Sequence, residues 1–305
     1  MDLRPYGLTP RQVKRAARVL SYQPFIISDD LQTGVAWSWI SGEDPRVSPP
    51  LVFRRDQWGD KWDAIHDANA RLRAIYDDFI FEIVARFPGG SLLDIACKNG
   101  YFPIKAQLSG MTPCAGMDIG SQYRRSIKFL NRVAGTRVKF VHGAYEPRRL
   151  KAPIRQRYDV VVASAIMCHL PDPLHFLADL GRIARRAIFF FGQIVDTDQF
   201  LIAYARPHSA ISDARAFPFS LNENTRLSIG LLWTSLEMMG FHKIMEFQWR
   251  DTWLPRELFV GYGYEQHLPN IQADTEERRH LAARGARLLE ELRGKSRHLA
   301  ILAMR

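Results

Sequence analysis

Short apolar runs alternate with helical segments between residues 91 and 191, and this alternation constrains the fold more than any other feature of the sequence. Apolar runs of this length, bounded by Gly, Pro or charged residues, are typical of strands buried on both faces of a parallel sheet. Helices between such strands indicate an α/β architecture. We expect strands at 91–96, 114–119, 138–142, 158–163 and 187–191, and helices around 101–109, 122–134 and 173–184.

The chain after residue 191 adds two strands, which brings the expected sheet to seven. One is expected near His242–Trp249, after a helix capped by Asn224 and Thr225 that runs through Gly240. Two segments qualify as the last strand, Glu257–Gly261 and His298–Met304, and the second is favoured. With that choice, residues 91–305 form one domain with insertions near 196–224 and 250–295. The second insertion contains an Arg/Glu-rich helix from about Thr275, which either packs on the domain or supports a homodimer.

Residues 1–90 are expected to form an N-terminal, mainly helical extension that selects the substrate. Thr9, Pro10 and Gln12 offer a capping box with proline in the first turn, so a short helix is expected to about Leu20. Residues 21–57 mix Gly, Pro, Ser and aromatic residues without a period, which indicates loops and short strands. From about Trp58, apolar residues recur every three or four positions until a Pro-Gly-Gly sequence, and this predicts a long amphipathic helix.

The formal net charge of +10 comes from one segment of the chain. Residues Arg124–Arg157 contain 11 basic residues and one acidic residue, and the charges of all other residues cancel. Such a segment either binds RNA or is a solvated helix face. The apolar runs fall short of the roughly 20 residues of a membrane helix, and Met1–Pro5 carries charges and a proline where a secretory signal has an apolar core. We therefore expect a cytoplasmic protein without a membrane span.

The cysteine pattern excludes two classes of small domain. Cys97, Cys114 and Cys168 leave one thiol unpaired in any disulfide scheme, and no two of them have CxxC spacing. Neither a disulfide framework nor a metal site is expected.

Two acidic residues follow neighbouring strands in a pattern suited to a nucleoside cofactor. Asp94 lies in the first apolar strand, and a turn with small residues and a helix follow it. Asp118 ends the second strand, 24 residues later, where a carboxylate can accept hydrogen bonds from both ribose hydroxyls. Either acid alone could be structural, but the pair favours a cofactor site.

The sequence resembles the class I S-adenosylmethionine-dependent methyltransferases over roughly residues 79–241 and the terminal strand. Four segments carry this resemblance: 93–101 (LDIACKNGY), 116–119 (GMDI), 158–163 (YDVVVA) and 167–173 (MCHLPDP). The first motif of the family is usually Asp-x-Gly-x-Gly-x-Gly. One large subgroup has Asp-x-Gly-Cys-Asn-x-Gly instead, and the chain looks like this subgroup, which includes wobble-uridine carboxymethyltransferases of tRNA and many enzymes of unassigned substrate.

The resemblance implies a Rossmann-like sheet, S-adenosyl-L-methionine as cofactor and a set of cofactor-binding positions. Asp94 would hold the ammonium group of the cofactor, Gly100 would let its methionine part lie against backbone, and Asp118 would hold the ribose. The complete set is Asp94, Ala96, Cys97, Lys98, Gly100, Asp118, Ile119, Ala144 and Tyr145, of which the last two would flank the adenine.

Two positions depart from the family motif. Ala96 replaces the first glycine, and alanine fits there if its φ is negative. Lys98 replaces a glycine or asparagine, and its ammonium group either disturbs a cofactor that already carries a sulfonium or pairs with the carboxylate of that cofactor.

Methyl transfer is an in-line displacement, so such an enzyme mainly aligns the acceptor, excludes water and removes a proton. His169, just after the fourth strand, is the candidate base, and it could equally be a structural residue of that turn. Gln193 and Asp196, after the fifth strand, are candidate substrate-binding residues. Trp62 belongs to a group of tryptophans that form either core contacts or an aromatic lid over the acceptor.

Three functions remain open on these residues. The first is methyl transfer to an oxygen or nitrogen atom of a small molecule. The second is methyl or carboxymethyl transfer to RNA, through the basic segment Arg124–Arg157. The third is a non-catalytic binding module that keeps the methyltransferase fold, which Ala96 and Lys98 suggest.

Overall fold

A computed structural model describes residues 1–34, 52–143, 156–170, 172–204, 225–247 and 296–305 of the chain. The N-terminal region begins with a 3-10 turn at Arg4–Tyr6, and a second 3-10 turn spans Gly59–Lys61. Its other elements are α1 (Pro10–Val19), β1 (Ile26–Ser28), β2 (Leu31–Thr33), β3 (Val52–Arg54), α2 (Arg55–Trp58) and α3 (Trp62–Arg86). The three strands form an antiparallel sheet in the order β1-β2-β3. The capping box predicted for α1 is present between Thr9 and Gln12.

The seven-stranded sheet predicted from the sequence is confirmed. Its strands are β4 (Leu92–Ile95), β5 (Cys114–Asp118), β6 (Lys139–His142), β7 (Tyr158–Ser164), β8 (Ala184–Val195), β11 (Lys243–Glu246) and β12 (Ser296–Met304). Their order is β11-β12-β8-β7-β4-β5-β6. Only β12 runs against the others, because it pairs antiparallel with both β8 and β11. The favoured last strand, His298–Met304, lies in β12, whereas the alternative Glu257–Gly261 falls outside the described residues.

The helices of this part are α4 (Tyr101–Leu108), α5 (Tyr123–Ala134), α6 (Pro173–Ile183) and α7 (Ile229–Met238). The expected start of α7 at Asn224 is wrong. Two short strands, β9 (Ile202–Tyr204) and β10 (Thr225–Leu227), pair before that helix. Ser228 caps α7 instead, since its Oγ accepts a hydrogen bond from Leu231 N. The helix expected from about Thr275 lies outside the described residues.

The two faces of the large sheet are covered by different parts of the chain. Helices α6 and α7 pack on one face through residues such as Phe176 and Leu232. On the other face, α3 brings the ring of Phe79 to 4.9 Å from that of Phe189. Met1, Leu3, Leu20 and Phe25 belong to the same buried cluster as this helix. Burying each large apolar side chain stabilises the fold by about 1.5–3 kcal/mol. The N-terminal region therefore packs directly on the sheet, and the domain boundary near residue 90 stays a prediction.

Helix α3 is 25 residues long, and polar residues interrupt its apolar face throughout. Among the described residues, no helix has the length and the apolar character that crossing a bilayer requires.

Candidate functional site

Asp94 is a buried carboxylate near the carboxyl end of β4. Its side chain is 1% exposed, and within the described chain neither carboxylate oxygen has a hydrogen-bond partner. Burial, and next the charge of Asp118, raise the pKa of Asp94 well above its usual value. Tyr76 of α3 lies close by, because burial and the charge of Asp94 raise the pKa of its phenol. A buried carboxylate without a donor is suited to bind a cation or an N–H group that enters this edge of the sheet.

The loop after β4 alternates into the left-handed region. Ala96, Lys98 and Gly100 have φ of 63°, 48° and 88°. The expectation of a negative φ at Ala96 is therefore wrong: the backbone keeps the path that glycines would allow, and the alanine adopts it under strain. At Gly100 a Cβ atom would lie 2.6 Å from Cγ1 of Ile127, so a side chain is also excluded by the packing of α5. The loop thus exposes backbone at the amino end of α4, where N–H groups favour anions and polar ligands.

Replacing Ala96 with glycine should stabilise the protein. The left-handed region costs a residue with a Cβ about 1–2 kcal/mol, and glycine loses about 0.5–1 kcal/mol through its greater freedom in the unfolded chain. We expect A96G to raise the free energy of unfolding by up to about 1 kcal/mol, measured by urea denaturation. The matched control A106G, in α4, should lower it, and equal losses in both variants would contradict the strain.

Asp118 holds this loop from the neighbouring strand. Its Oδ2 accepts a hydrogen bond from Lys98 N at 2.9 Å, and its Oδ1 accepts one from Gly120 N at 2.8 Å. Each carboxylate oxygen has a further lone pair for a ligand hydroxyl. Ile119, the next residue, is 71% exposed beside this carboxylate, although it is a large apolar side chain. An acid for hydroxyls and an apolar surface for a ring are therefore adjacent.

Cys97 and His142 support the loops without facing a ligand. The Cys97 side chain is fully buried, and a Cβ at Gly116 would lie 2.6 Å from its Sγ, so β5 approaches the loop closely at this glycine. Only the backbone of Cys97 can serve a ligand. A ring nitrogen of His142, Nε2, lies 3.0 Å from Ile119 O, which fits the structural role expected for this histidine.

Lys98 directs its ammonium group to aromatic rings. Nζ lies 4.9 Å from the ring centroid of Tyr22 and 5.7 Å from that of Tyr123. Contacts of this kind contribute about 0.5–1 kcal/mol each at exposed sites. The cation thereby links the N-terminal region to α5 beside the loop, an arrangement that the motif does not predict.

Asn99 and Gln23 are site residues that the sequence reasoning missed. Asn99 is fully buried; its Oδ1 accepts a hydrogen bond from Tyr22 N at 3.0 Å, and its Nδ2 donates one to Val19 O at 3.1 Å. Gln23 Oε1 accepts a hydrogen bond from Tyr101 N, the first residue of α4, at 3.0 Å. The N-terminal region is thus fastened to the loop from both sides. The signal was a polar amide between Lys98 and Gly100, but its partners lie about 80 residues away in sequence.

The residues predicted for the acceptor side follow β7 and β8. His169 lies in a 3-10 turn, Met167–His169, and its side chain is exposed. Ala165, just before this turn, has a φ of 52°, and its N–H donates to Phe191 O at 2.7 Å. Strained residues of this kind are found at functional sites. The turn therefore has a fixed geometry at the carboxyl edge of the sheet.

Gln193, Asp196 and Trp62 take different positions. Gln193 does not follow the fifth strand, as the sequence suggested, because β8 continues to Val195 and pairs Gln193 with His298. Asp196 is exposed directly after the strand. Trp62 is 5% exposed in a small cluster with Phe53 and Ile65, which is the core position that was one of its two readings.

Other predicted residues lie away from this edge or outside the description. Ala144 and Tyr145 fall outside the described residues, as do several bases of the basic segment. The described bases of α5 and its surroundings are exposed beside β6, the edge strand: Arg124, Arg125, Lys128, Arg132, Arg137 and Lys139. In the described ranges, no three His, Cys, Asp or Glu side chains form a group that could hold a metal ion.

Comparisons with known proteins agree on one family. The profile of a family described as "Methyltransferase domain" matches residues 64–230. Ubiquinone biosynthesis O-methyltransferase of Klebsiella pneumoniae (strain 342) is 26% identical over 115 residues, which are 38% of this chain and 46% of that protein. The chain thus spans about half the length of the curated relative that it matches.

Two solved structures are similar at low identity. The N-terminal domain of EvdMO1 with SAH bound has a TM-score of 0.45 and 19% identity, covering 57% of this chain and 75% of that one. Magnesium protoporphyrin IX methyltransferase (ChlM) from Synechocystis PCC 6803 with bound SAM has a TM-score of 0.43 and 16% identity, covering 64% and 83%.

Proposed function

Because the chain belongs to the class I S-adenosylmethionine-dependent methyltransferases, we propose that it transfers the methyl group of this cofactor to an oxygen or nitrogen atom of a small molecule. The observation that carries this proposal is Asp94, a buried carboxylate without a donor at the carboxyl edge of the sheet. The O-methyltransferase activity named for the Klebsiella relative supports the same reaction class.

The described residues fit the cofactor in three ways. Asp94 offers both oxygens to the ammonium group, which is a charge-assisted interaction in a buried setting. Asp118 offers its remaining lone pairs to the ribose, and exposed Ile119 offers an apolar surface to the adenine. Gly100 and Gly116 keep the backbone close where a Cβ would collide with Ile127 or Cys97.

The cofactor supplies, when bound, a methyl carbon activated by a sulfonium. The chain then has to align the acceptor, exclude water and accept a proton. We assign the proton to His169, since an imidazole titrates near neutral pH and this side chain is exposed at the carboxyl end of β7. The fixed turn at Ala165 positions it, and Asp196 lies at the end of the adjacent strand.

The basic face supports RNA as a second acceptor less well than a small molecule. Its six described bases flank β6, whereas His169 follows β7, and β5 and β4 lie between these strands. An RNA that binds the basic face would have to cross the cofactor half of the sheet to reach this histidine. The predicted cytoplasmic location and homodimer stay predictions.

The proposal is tested with the whole chain and methyl-labelled S-adenosylmethionine. We expect micromolar binding by calorimetry and label transfer to a member of a panel of phenols, sugars and amines. His169→Gln should lower kcat about 100-fold and leave cofactor affinity unchanged. The matched control is His175→Gln, in α6.

Three results would decide against the proposal. Absence of cofactor binding would remove methyl transfer altogether, and binding without transfer to any acceptor would favour a binding module. Label transfer to bulk tRNA, with affinity that falls steeply as salt rises, would establish RNA as the acceptor instead.

A further inference from the structure

Two buried amide side chains form a pair outside the site described so far. Gln32 of β2 and Asn69 of α3 are 1% and 0% exposed, and Asn69 Nδ2 donates a hydrogen bond to Gln32 Oε1 at 3.3 Å. Gln32 Nε2 and Asn69 Oδ1 are also buried, and neither has a hydrogen-bond partner in the described structure. A buried donor or acceptor without a partner costs about 1–3 kcal/mol. The pair therefore destabilises the protein unless a ligand completes it.

The surroundings of the pair are fixed and free of side-chain bulk. An added Cβ at Gly34 would overlap Oδ1 of Asn69, so the backbone of the N-terminal region runs directly beside this oxygen. Thr33, next to Gln32, donates through Oγ1 to Gln23 O at 2.9 Å. Gln23 in turn accepts from the first N–H of α4. The amide pair is thus tied by two hydrogen bonds to the helix that follows the cofactor loop.

The position of the pair separates it from the group that Asp94 binds. Asn69 and Tyr76 are seven residues apart in α3, which puts them on the same helix face about 10 Å apart. Tyr76 lies close to Asp94. A hydrogen bond spans only about 3 Å, so a group held by Asp94 does not reach the amide pair. The pair belongs to a different part of the bound molecules.

We propose that the Gln32–Asn69 pair binds a neutral hydroxyl group of the methyl acceptor. One N–H donor and one carbonyl acceptor remain open, and a hydroxyl offers both an acceptor oxygen and a donor hydrogen. Exchanging O and N in both amides leaves the same open pair, so the argument does not depend on their assignment. Both recognition groups are uncharged, so they match a sugar or phenol hydroxyl rather than a carboxylate or phosphate. This inference rests on the proposed function.

The test observes the two side-chain amides directly by NMR. The 15N-labelled chain, saturated with S-adenosylhomocysteine, is titrated with catechol and with methyl α-D-glucoside as hydroxylated probes. We expect at least one of them to shift the NH2 resonances of Gln32 and Asn69. Veratrole, which is catechol with both hydroxyls methylated, and benzoate should shift neither. Equal shifts from veratrole, or none from either hydroxylated probe, would overturn the inference.

A double variant distinguishes recognition from a structural role. Q32L/N69L removes all open polar atoms at similar volume, so we expect unchanged or higher stability, unchanged binding of S-adenosylhomocysteine and at least tenfold weaker probe binding. Gln107→Leu, an amide at the far edge of the sheet, should leave probe binding intact. Lower stability with unchanged probe binding would show that the pair is structural.

Calorimetry on the same samples separates the two proposals. A wild-type chain that binds S-adenosylhomocysteine but no hydroxylated probe contradicts only the amide subsite. A chain that binds neither contradicts the proposed function as well.

Discussion

Asp94→Asn is expected to make the protein more stable and nearly unable to bind its cofactor. The wild-type carboxylate is buried without a donor, and the neutral amide of the variant is less costly to bury. We expect the free energy of unfolding to rise on the order of 1 kcal/mol, measured by urea denaturation without cofactor. The variant also loses the charge that binds the ammonium group, so affinity for S-adenosylmethionine should fall on the order of 100-fold by calorimetry.

Asp159→Asn is the matched control for this variant. Asp159 lies near the amino end of β7, and its Oδ2 accepts hydrogen bonds from Ser91 N and Ser91 Oγ at 2.8 and 2.7 Å. These bonds outweigh partial burial and lower its pKa. D159N should therefore lose stability and keep cofactor affinity. If D94N loses stability like D159N, the Asp94 carboxylate is structural and the assignment of the cofactor site fails.

The same two carboxylates should respond to pH with opposite signs. The pKa of Asp94 is raised in the folded state, so its ionisation destabilises the protein, and this penalty disappears as pH falls below the raised pKa. The pKa of Asp159 is lowered, so its contribution is present above the unfolded value and is lost as pH falls through the folded one. Cofactor affinity should drop as Asp94 becomes protonated, and it should show no such drop in D94N.

Elements with a local signal could be predicted from the sequence. The strands β4, β5 and β7 are apolar runs buried on both faces, and their positions follow from that pattern alone. The start of α7 could not be predicted, because Thr225 and Asn224 are good helix caps, and only the pairing of β10 with β9 excludes them. Tertiary pairing thus decides wherever two local signals compete.

The site divides in the same way. Asp94 and Asp118 could be found because each ends or follows a recognisable strand. The conformation of Ala96 could not, since a residue with a Cβ normally avoids positive φ and only the surrounding contacts impose it. The partners of Asn99 lie in a region with no family motif, so its role required the three-dimensional structure.

Asn99→Ala is the second change with a large expected effect. Its side chain joins the cofactor loop to Val19 and Tyr22 of the N-terminal region and to Ser126 of α5. Truncation leaves several buried backbone groups without partners, which should lower the free energy of unfolding by about 3 kcal/mol. It also frees the N-terminal region from the loop, so we expect at least tenfold weaker cofactor binding and faster proteolysis near residues 19–23.

Asn131→Ala separates this coupling from a general loss of stability. Asn131 makes a similar bridge, with Nδ2 donating to Val138 O at 2.9 Å and Oδ1 accepting from Val138 N at 3.0 Å, but it joins α5 to β6. N131A should lose comparable stability in urea while keeping cofactor affinity and protection of residues 19–23. Equal losses of affinity in both variants would mean that binding follows global stability. A loss confined to N99A would establish that the N-terminal region completes the cofactor site, because the two variants remove the same kind of bond and differ only in what it connects.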